Sequence, residues 1–179
     1  IDYTNVVKNL KSLNFRDLKS EDFLRINSEY IDVKTGVTKM SNIRTEVKGL
    51  GNISKYCRLD NITDSKGDVY GIFEQKSLLK NKDNSPVYPV NFEDFNFRVS
   101  LQVEKFFNPS TGIIRNIVDK WSDNKKTFRL INRTSLVHDN YPLKVDLSIV
   151  RSSKKKDRNY IPEYRFKNSG VLQSNVEYE

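Results

Sequence analysis

Five segments of this chain carry polar and charged residues at every second position, the spacing at which strand side chains share one face. In Asn42–Lys48, Arg44, Glu46 and Lys48 alternate with Ile43 and Val47. In Phe97–Glu104, Arg98, Ser100, Gln102 and Glu104 alternate with Phe97, Val99, Leu101 and Val103. Phe128–Leu136 groups Arg129, Ile131, Arg133 and Ser135, and Leu143–Ile149 groups Lys144, Asp146 and Ser148 against four aliphatics. The last residues place Glu177 and Glu179 together. Guanidiniums grip phosphate oxygens bidentately, and neighbouring carboxylates hold a hard divalent cation, so the pattern suits a polyanion such as a triphosphate with its metal. Two arrangements satisfy it. Either each charged face points to water while the other face packs on a core, or the sheet closes with its charges inward, paired with one another, a metal or an anion.

Other reactive residue types are scarce. A single cysteine, Cys57, excludes an internal disulfide and a thiolate-rich zinc site, and a lone histidine, His138, excludes multi-histidine catalysis. Any metal is therefore a hard cation on oxygen ligands. Cys57 reads as a small core hydrophobe, Trp121 as the anchor of its helix, His138 as structural or exposed, and Phe106–Phe107 as packing, with base stacking the other reading for the pair.

The elements that must position these charges follow from composition and periodicity. At 179 residues one domain is expected, and ten Phe with nine Tyr make the chain too aromatic for a disordered polyelectrolyte. It has no alanine but nineteen asparagines, which argues against a helical bundle. Thirty-one Lys and Arg against 23 acids give a net charge of +8 and favour polyanionic partners. No run approaches ~18 apolar residues and the start lacks signal-peptide features, so a soluble, intracellular protein without a membrane partner is expected.

Tyr3, Val6, Val7, Leu10 and Leu13 predict a first amphipathic helix with Thr4 as cap. Further helices are predicted over 51–58 and 110–121, the latter capped by Ser110 or Thr111. Strands are predicted over 22–34, 42–48, 69–79, 95–107, 126–138, 142–151 and 174–179, with 81–89 as a loop. The charge run Lys154–Arg158 reads as a solvated loop, RNA contact being the alternative. The fold class expected is α+β, mainly antiparallel β, with an eight-stranded sheet closed or nearly closed on itself and a few short flanking helices.

The segments Lys126–Ser135, Leu143–Ser153 and Asn175–Glu179, with Ser41–Leu50 and Asn96–Leu101 upstream, resemble successive strands of the triphosphate tunnel metalloenzymes. The resemblance is to the RNA 5′-triphosphatase domain of mRNA capping enzymes in large DNA viruses, and it spans roughly 3–179. It implies an eight-stranded tunnel whose basic side chains hold the triphosphate and whose glutamates coordinate Mg²⁺ or Mn²⁺. On that basis Glu177 and Glu179 are the expected metal ligands and, with Asp146, the catalytic set. Arg44, Lys48, Arg98, Arg129 and Arg133 are the expected phosphate-binding residues. The implied activity is removal of the γ-phosphate of nascent mRNA by an in-line water, without a covalent intermediate, a glutamate serving as base. The implied partners are 5′-triphosphate RNA and the guanylyltransferase and methyltransferase modules of a capping enzyme. The implied location is the host cytoplasm or the virion.

Two departures accompany the resemblance. Ile131 stands where relatives often carry lysine, and no Glu-x-Glu of a first strand precedes the initial helix. The chain therefore reads as one tunnel domain, 1–179, lacking its first strand and the end of its last metal-binding strand. The alternatives are a non-catalytic RNA-binding or scaffolding tunnel, and a hydrolase of polyphosphate or nucleoside triphosphates.

Overall fold

Asp2, not Thr4, starts the first helix: its Oδ1 accepts from the backbone N–H of Thr4 at 3.0 Å and of Asn5 at 3.3 Å, satisfying donors that a helix N-terminus leaves free. The computed structural model describes residues 2–32, 34–110 and 112–179, the Phe95 side chain excepted. The cap expected of Thr111 lies outside the described residues. Three α-helices are present among them: α1 (Tyr3–Ser12), α2 (Leu50–Leu59) and α3 (Gly112–Asp119). The strands are β1 (Phe15–Ile31), β2 (Thr38–Lys48), β3 (Ile72–Leu78), β4 (Val90–Phe92), β5 (Phe97–Val99), β6 (Gln102–Phe107), β7 (Lys126–His138), β8 (Tyr141–Ser152), β9 (Lys155–Lys156), β10 (Asn159–Tyr160) and β11 (Glu177–Tyr178). None of the described helices is long and apolar enough to cross a membrane.

Seven strands form one antiparallel sheet in the order β11-β8-β7-β1-β2-β3-β6. The architecture is thus α+β and mostly antiparallel, as the alternation predicts. Strand β1 reaches seven residues further toward the N-terminus than expected. Phe15–Glu21 has no clean alternation, but it pairs with β7 as far as Phe15 opposite His138, and ladder bonds override weak local propensity.

Three expectations are corrected here. The strand expected over 95–107 is broken: β5 pairs with β4 in a separate ribbon, and only β6 joins the main sheet. The charge run 154–158 is not an open loop, because β9 and β10 form a two-residue hairpin. Phe106 likewise departs from its packing role and is exposed, while Phe107 packs against the core.

The apolar face of the sheet presents Leu24, Ile26, Ile43, Val47, Phe73 and Phe128 to α2 (Ile53, Tyr56), α3 (Ile114, Ile117) and Trp121. Cys57 packs against this cluster, half-buried. Trp121, expected to anchor its own helix, lies just past the end of α3 in the core cluster, its indole N–H donating to Tyr56 Oη of α2 at 3.2 Å. His138 ends β7 between Phe15 and Tyr141, its Nδ1 accepting from the Asn140 N–H.

Lys126 is fully buried in this core. Its Nζ donates to the carbonyls of Trp121 at 2.5 Å and Asn124 at 2.6 Å, yet burial pushes its pKa down to about 8. An unfolded lysine titrates near ~10.4, so between about pH 8 and 10 the unfolded chain binds the extra proton and stability rises with pH. Above about pH 10 the phenols of buried Tyr56 and half-buried Tyr70, both raised by burial, reverse the trend. Thermal melts from pH 7.5 to 10 (about the window of the Lys126 titration) should show this rise, and Lys126→Met should flatten it. An equally steep rise in the variant would exclude Lys126 as its source.

Candidate anion-binding site

The register of the sheet places these charged residues on one face. Arg25 on β1 stands opposite Arg129 on β7 and Glu46 on β2, and Arg44 on β2 stands opposite Glu74 on β3. Further along the same face Glu21 is opposite Arg133, which is opposite Ser148, while Ser135 is opposite Asp146. Lys48 lies opposite Phe23, and Glu177 opposite Val150. Glu179 exchanges backbone hydrogen bonds with Ser148 at 2.7 and 2.9 Å, which puts it on this face too.

Three ion pairs organise one half of the face. Arg25 donates through Nε and Nη2 to Glu46 Oε1 at 3.1 and 2.8 Å. Arg44 Nε donates to Glu74, and Arg129 Nη2 to Glu179. The Arg25–Glu46 and Arg44–Glu74 side chains are only 8 to 16 % exposed. Burial holds the Arg25 pKa below its usual value; the Glu46 bond opposes this, while the nearby charges of Arg44 and Arg129 reinforce it. Two guanidinium nitrogens here, Arg44 Nη2 and Arg129 Nε, are buried without a hydrogen-bond partner among the described residues.

The other half is satisfied internally. Arg133 Nε donates to Ser148 Oγ at 3.1 Å and Nη1 lies 3.8 Å from Asp146. Asp146 also accepts from Ser135 at 2.6 Å and pairs with Lys144 at 3.2 Å. Burial pushes the Asp146 carboxyl up, but the Ser135 and Lys144 hydrogen bonds and the charges of Lys144 and Arg133 leave it below the usual range. Glu21 is also lowered, chiefly by its bond from Lys19, with burial opposing and Lys48 and Arg133 adding to it.

A strip of Phe23, Ile131 and Val150, all at most 4 % exposed, separates the halves. The Arg25 and Arg133 guanidiniums lie 5.6 and 5.1 Å from the Phe23 ring centre. This explains the isoleucine at 131: the position is an apolar contact, and a lysine there would bury its stem against Phe23 and Val150.

The helices of the core cluster lie on the opposite face, yet Glu46, Glu74 and the Phe23 strip are buried. Curvature of the sheet around its charged face accounts for this. The charge of Lys144 on β8 reaches Glu104 on β6, whose carboxyl is lowered first by its bond to Lys76, against the effect of burial, and then by the charges of Lys76, Arg44 and Lys144. Four strands intervene in the sheet. In a flat sheet, strands ~4.8 Å apart would put these residues roughly 24 Å from each other, beyond the reach of a screened charge.

Of the residues expected from the sequence, the sheet brings together Arg44, Lys48, Arg129, Arg133, Asp146, Glu177 and Glu179. Arg98 is not among them: it sits exposed on β5, opposite Asn91 of β4. Arg25 and Glu74 are additional members. The signal for Arg25 was the alternation Phe23, Arg25, Asn27 against Leu24 and Ile26; Glu74 carries little signal, since Gln75 and Lys76 follow it.

Glu177 and Glu179 stand two apart on one face, so they could together serve a divalent cation. Among the described residues no group of three acidic, histidine or cysteine side chains converges. The donor set fits a Mg²⁺-like ion that retains waters and takes further oxygens from phosphate. In the present arrangement Glu177 pairs with Lys155 at 2.8 Å and Glu179 with Arg129. Comparison with known protein families, curated proteins and solved structures gave no match. The geometry by itself defines a mostly antiparallel sheet with a preassembled arginine cluster on one face, two of its nitrogens unpartnered among the described residues.

Proposed function

We propose that this chain is the triphosphate-gripping tunnel of a metal-dependent RNA 5′-triphosphatase, acting at the first step of mRNA capping beside guanylyltransferase and methyltransferase modules. The observation that carries the reading is the pair of buried, unpartnered nitrogens Arg44 Nη2 and Arg129 Nε on the face that bears Glu177 and Glu179. An unmet buried donor costs about 1–3 kcal/mol, and phosphate oxygens would meet both. In this reading one further strand seated between the edges β6 and β11 completes an eight-stranded tunnel.

Each residue then has a role. Arg44, Arg25 and Arg129 hold phosphate oxygens and stabilise the charge that develops on the transferring phosphoryl group as water attacks in line. Glu46 and Glu74 keep two of those guanidiniums aimed before substrate arrives. Lys48 and Arg133 add positive potential, and Asp146 positions Arg133. Glu177 and Glu179 would hold Mg²⁺ or Mn²⁺, which supplies charge neutralisation at the terminal phosphates. A carboxylate on this face takes the proton of the attacking water.

The test is phosphate release from 5′-triphosphate RNA with Mg²⁺ or Mn²⁺. Release should occur with the chain and fall at least about 10²-fold in Glu177→Ala, with an unchanged circular dichroism spectrum. A second reading, a non-catalytic tunnel that binds RNA or scaffolds a capping complex, is favoured by the ion pairs that already occupy Glu177 and Glu179. Binding of tripolyphosphate without release by the folded wild type would select it and overturn the hydrolase reading. Competition by free nucleoside triphosphates or polyphosphate separates an RNA enzyme from a general triphosphate hydrolase.

A further inference from the structure

Beyond the sheet, the β9–β10 hairpin carries a conformational oddity. Its two-residue turn, Asp157–Arg158, has φ of 50° and 69°, the doubly left-handed form that favours Asn-Gly or Asp-Gly. Asp157 tolerates this region; an arginine adopts it only against steric resistance from its Cβ. Glycine would suit the turn better, so the arginine is not explained by the hairpin itself. Lys154, Lys156 and Arg158 are all exposed, and none pairs with a carboxylate among the described residues.

The hairpin is tied to the candidate site. Lys155 bonds Glu177 at 2.8 Å, and its ammonium lies 5.0 Å from the Tyr160 ring centre. Between the hairpin root and β11 runs a groove of about 470 Å³, lined by Lys154, Lys155, Ser152, Ser174, Asn175 and Glu177 among others. The volume falls within the roughly 300–1,000 Å³ of small-ligand sites. Ammonium, hydroxyl and carboxamide groups of this kind hydrogen-bond phosphodiester oxygens and ribose hydroxyls.

We infer that this groove and the hairpin tip bind the RNA chain just downstream of its 5′-triphosphate, so that the protein selects RNA ends over free triphosphates. The inference rests on the reading of the inner face as a triphosphate site, and it adds a second contact zone reached past Glu177. The charges at the tip, Lys156 and Arg158, act on the phosphodiester backbone; Lys154 and Lys155 line the path between.

Binding is measured by fluorescence anisotropy of a short 3′-labelled 5′-triphosphate RNA without divalent metal, and by calorimetry with inorganic tripolyphosphate. In Lys156→Gln/Arg158→Gly the RNA affinity should fall about three- to tenfold and the slope of log K against log salt should drop by about 1.4, at ~0.7 per charge removed. Tripolyphosphate affinity should not change. Arg158→Gly alone should lower RNA affinity while leaving the melting temperature equal or higher, because glycine accepts the turn, so unfolding cannot account for the loss. Unaltered RNA affinity and salt slope, with tripolyphosphate still bound, would overturn the inference and leave the triphosphate reading intact. Equal losses for RNA and tripolyphosphate would also overturn it. A wild-type chain that binds no tripolyphosphate removes the triphosphate reading, and the inference with it.

Discussion

Arg129→Ala should cut phosphate release by about 10²–10³-fold, the usual cost of removing one charge-stabilising donor, while leaving the fold as stable as before or more so. The two effects have opposite signs for one reason. Among the described residues the buried Nε of Arg129 has no partner, and its ion pair is to Glu179, whose side chain is half exposed. Truncation therefore removes an unmet donor and only a weak bridge. Substrate, by contrast, loses a guanidinium already held in place. The measurements are single-turnover phosphate release and a thermal melt on the same preparation. A variant that melts far below the wild type would show Arg129 to be a structural residue, and one that retains full release would remove it from the site. Arg44→Ala makes a poorer probe, because it strands Glu74 in the interior.

Glu74→Ala should be among the most destabilising substitutions in the sheet, costing about 3–5 kcal/mol. It removes the partner of a guanidinium that is 16 % exposed, and a buried charge without its counter-ion loses its Coulomb compensation while keeping its desolvation cost. Because the missing negative charge can be replaced, tripolyphosphate should recover more stability in this variant than in the wild type. Saturation at about 100 times Kd adds about 2.7 kcal/mol to any protein that binds only when folded, so recovery beyond the wild-type shift is the diagnostic. Chemical denaturation with and without tripolyphosphate gives both numbers. Equal shifts in the two proteins would mean that the anion does not sit at Arg44, and a loss below about 1 kcal/mol would mean that the pair is solvated.

Much of this site was legible in single strands. The sets Arg44–Glu46–Lys48, Arg129–Arg133–Ser135 and Lys144–Asp146–Ser148 each share a face in the sheet, because strand side chains alternate whatever the partner strand. Arg25 could have been found the same way. The segment around Arg98 has equally clean alternation and still failed, since alternation does not say where a strand stops: the chain leaves the ladder between Val99 and Gln102, and β5 pairs with β4 instead.

What the amino-acid order settled, then, is local: period-two faces and an antiparallel preference with short helices. Which acid meets which base was decided by register. Glu74 finds Arg44, thirty residues away, because the ladder sets them directly opposite, and the Arg129 side chain reaches across β8 to Glu179, fifty residues away. Curvature decided the rest, turning a face that water could have covered into one where Glu46 and Glu74 are buried and two guanidinium nitrogens are left without acceptors. Charge and spacing along a strand are properties of neighbours in sequence; burial and unmet hydrogen bonds arise only when distant strands close around them.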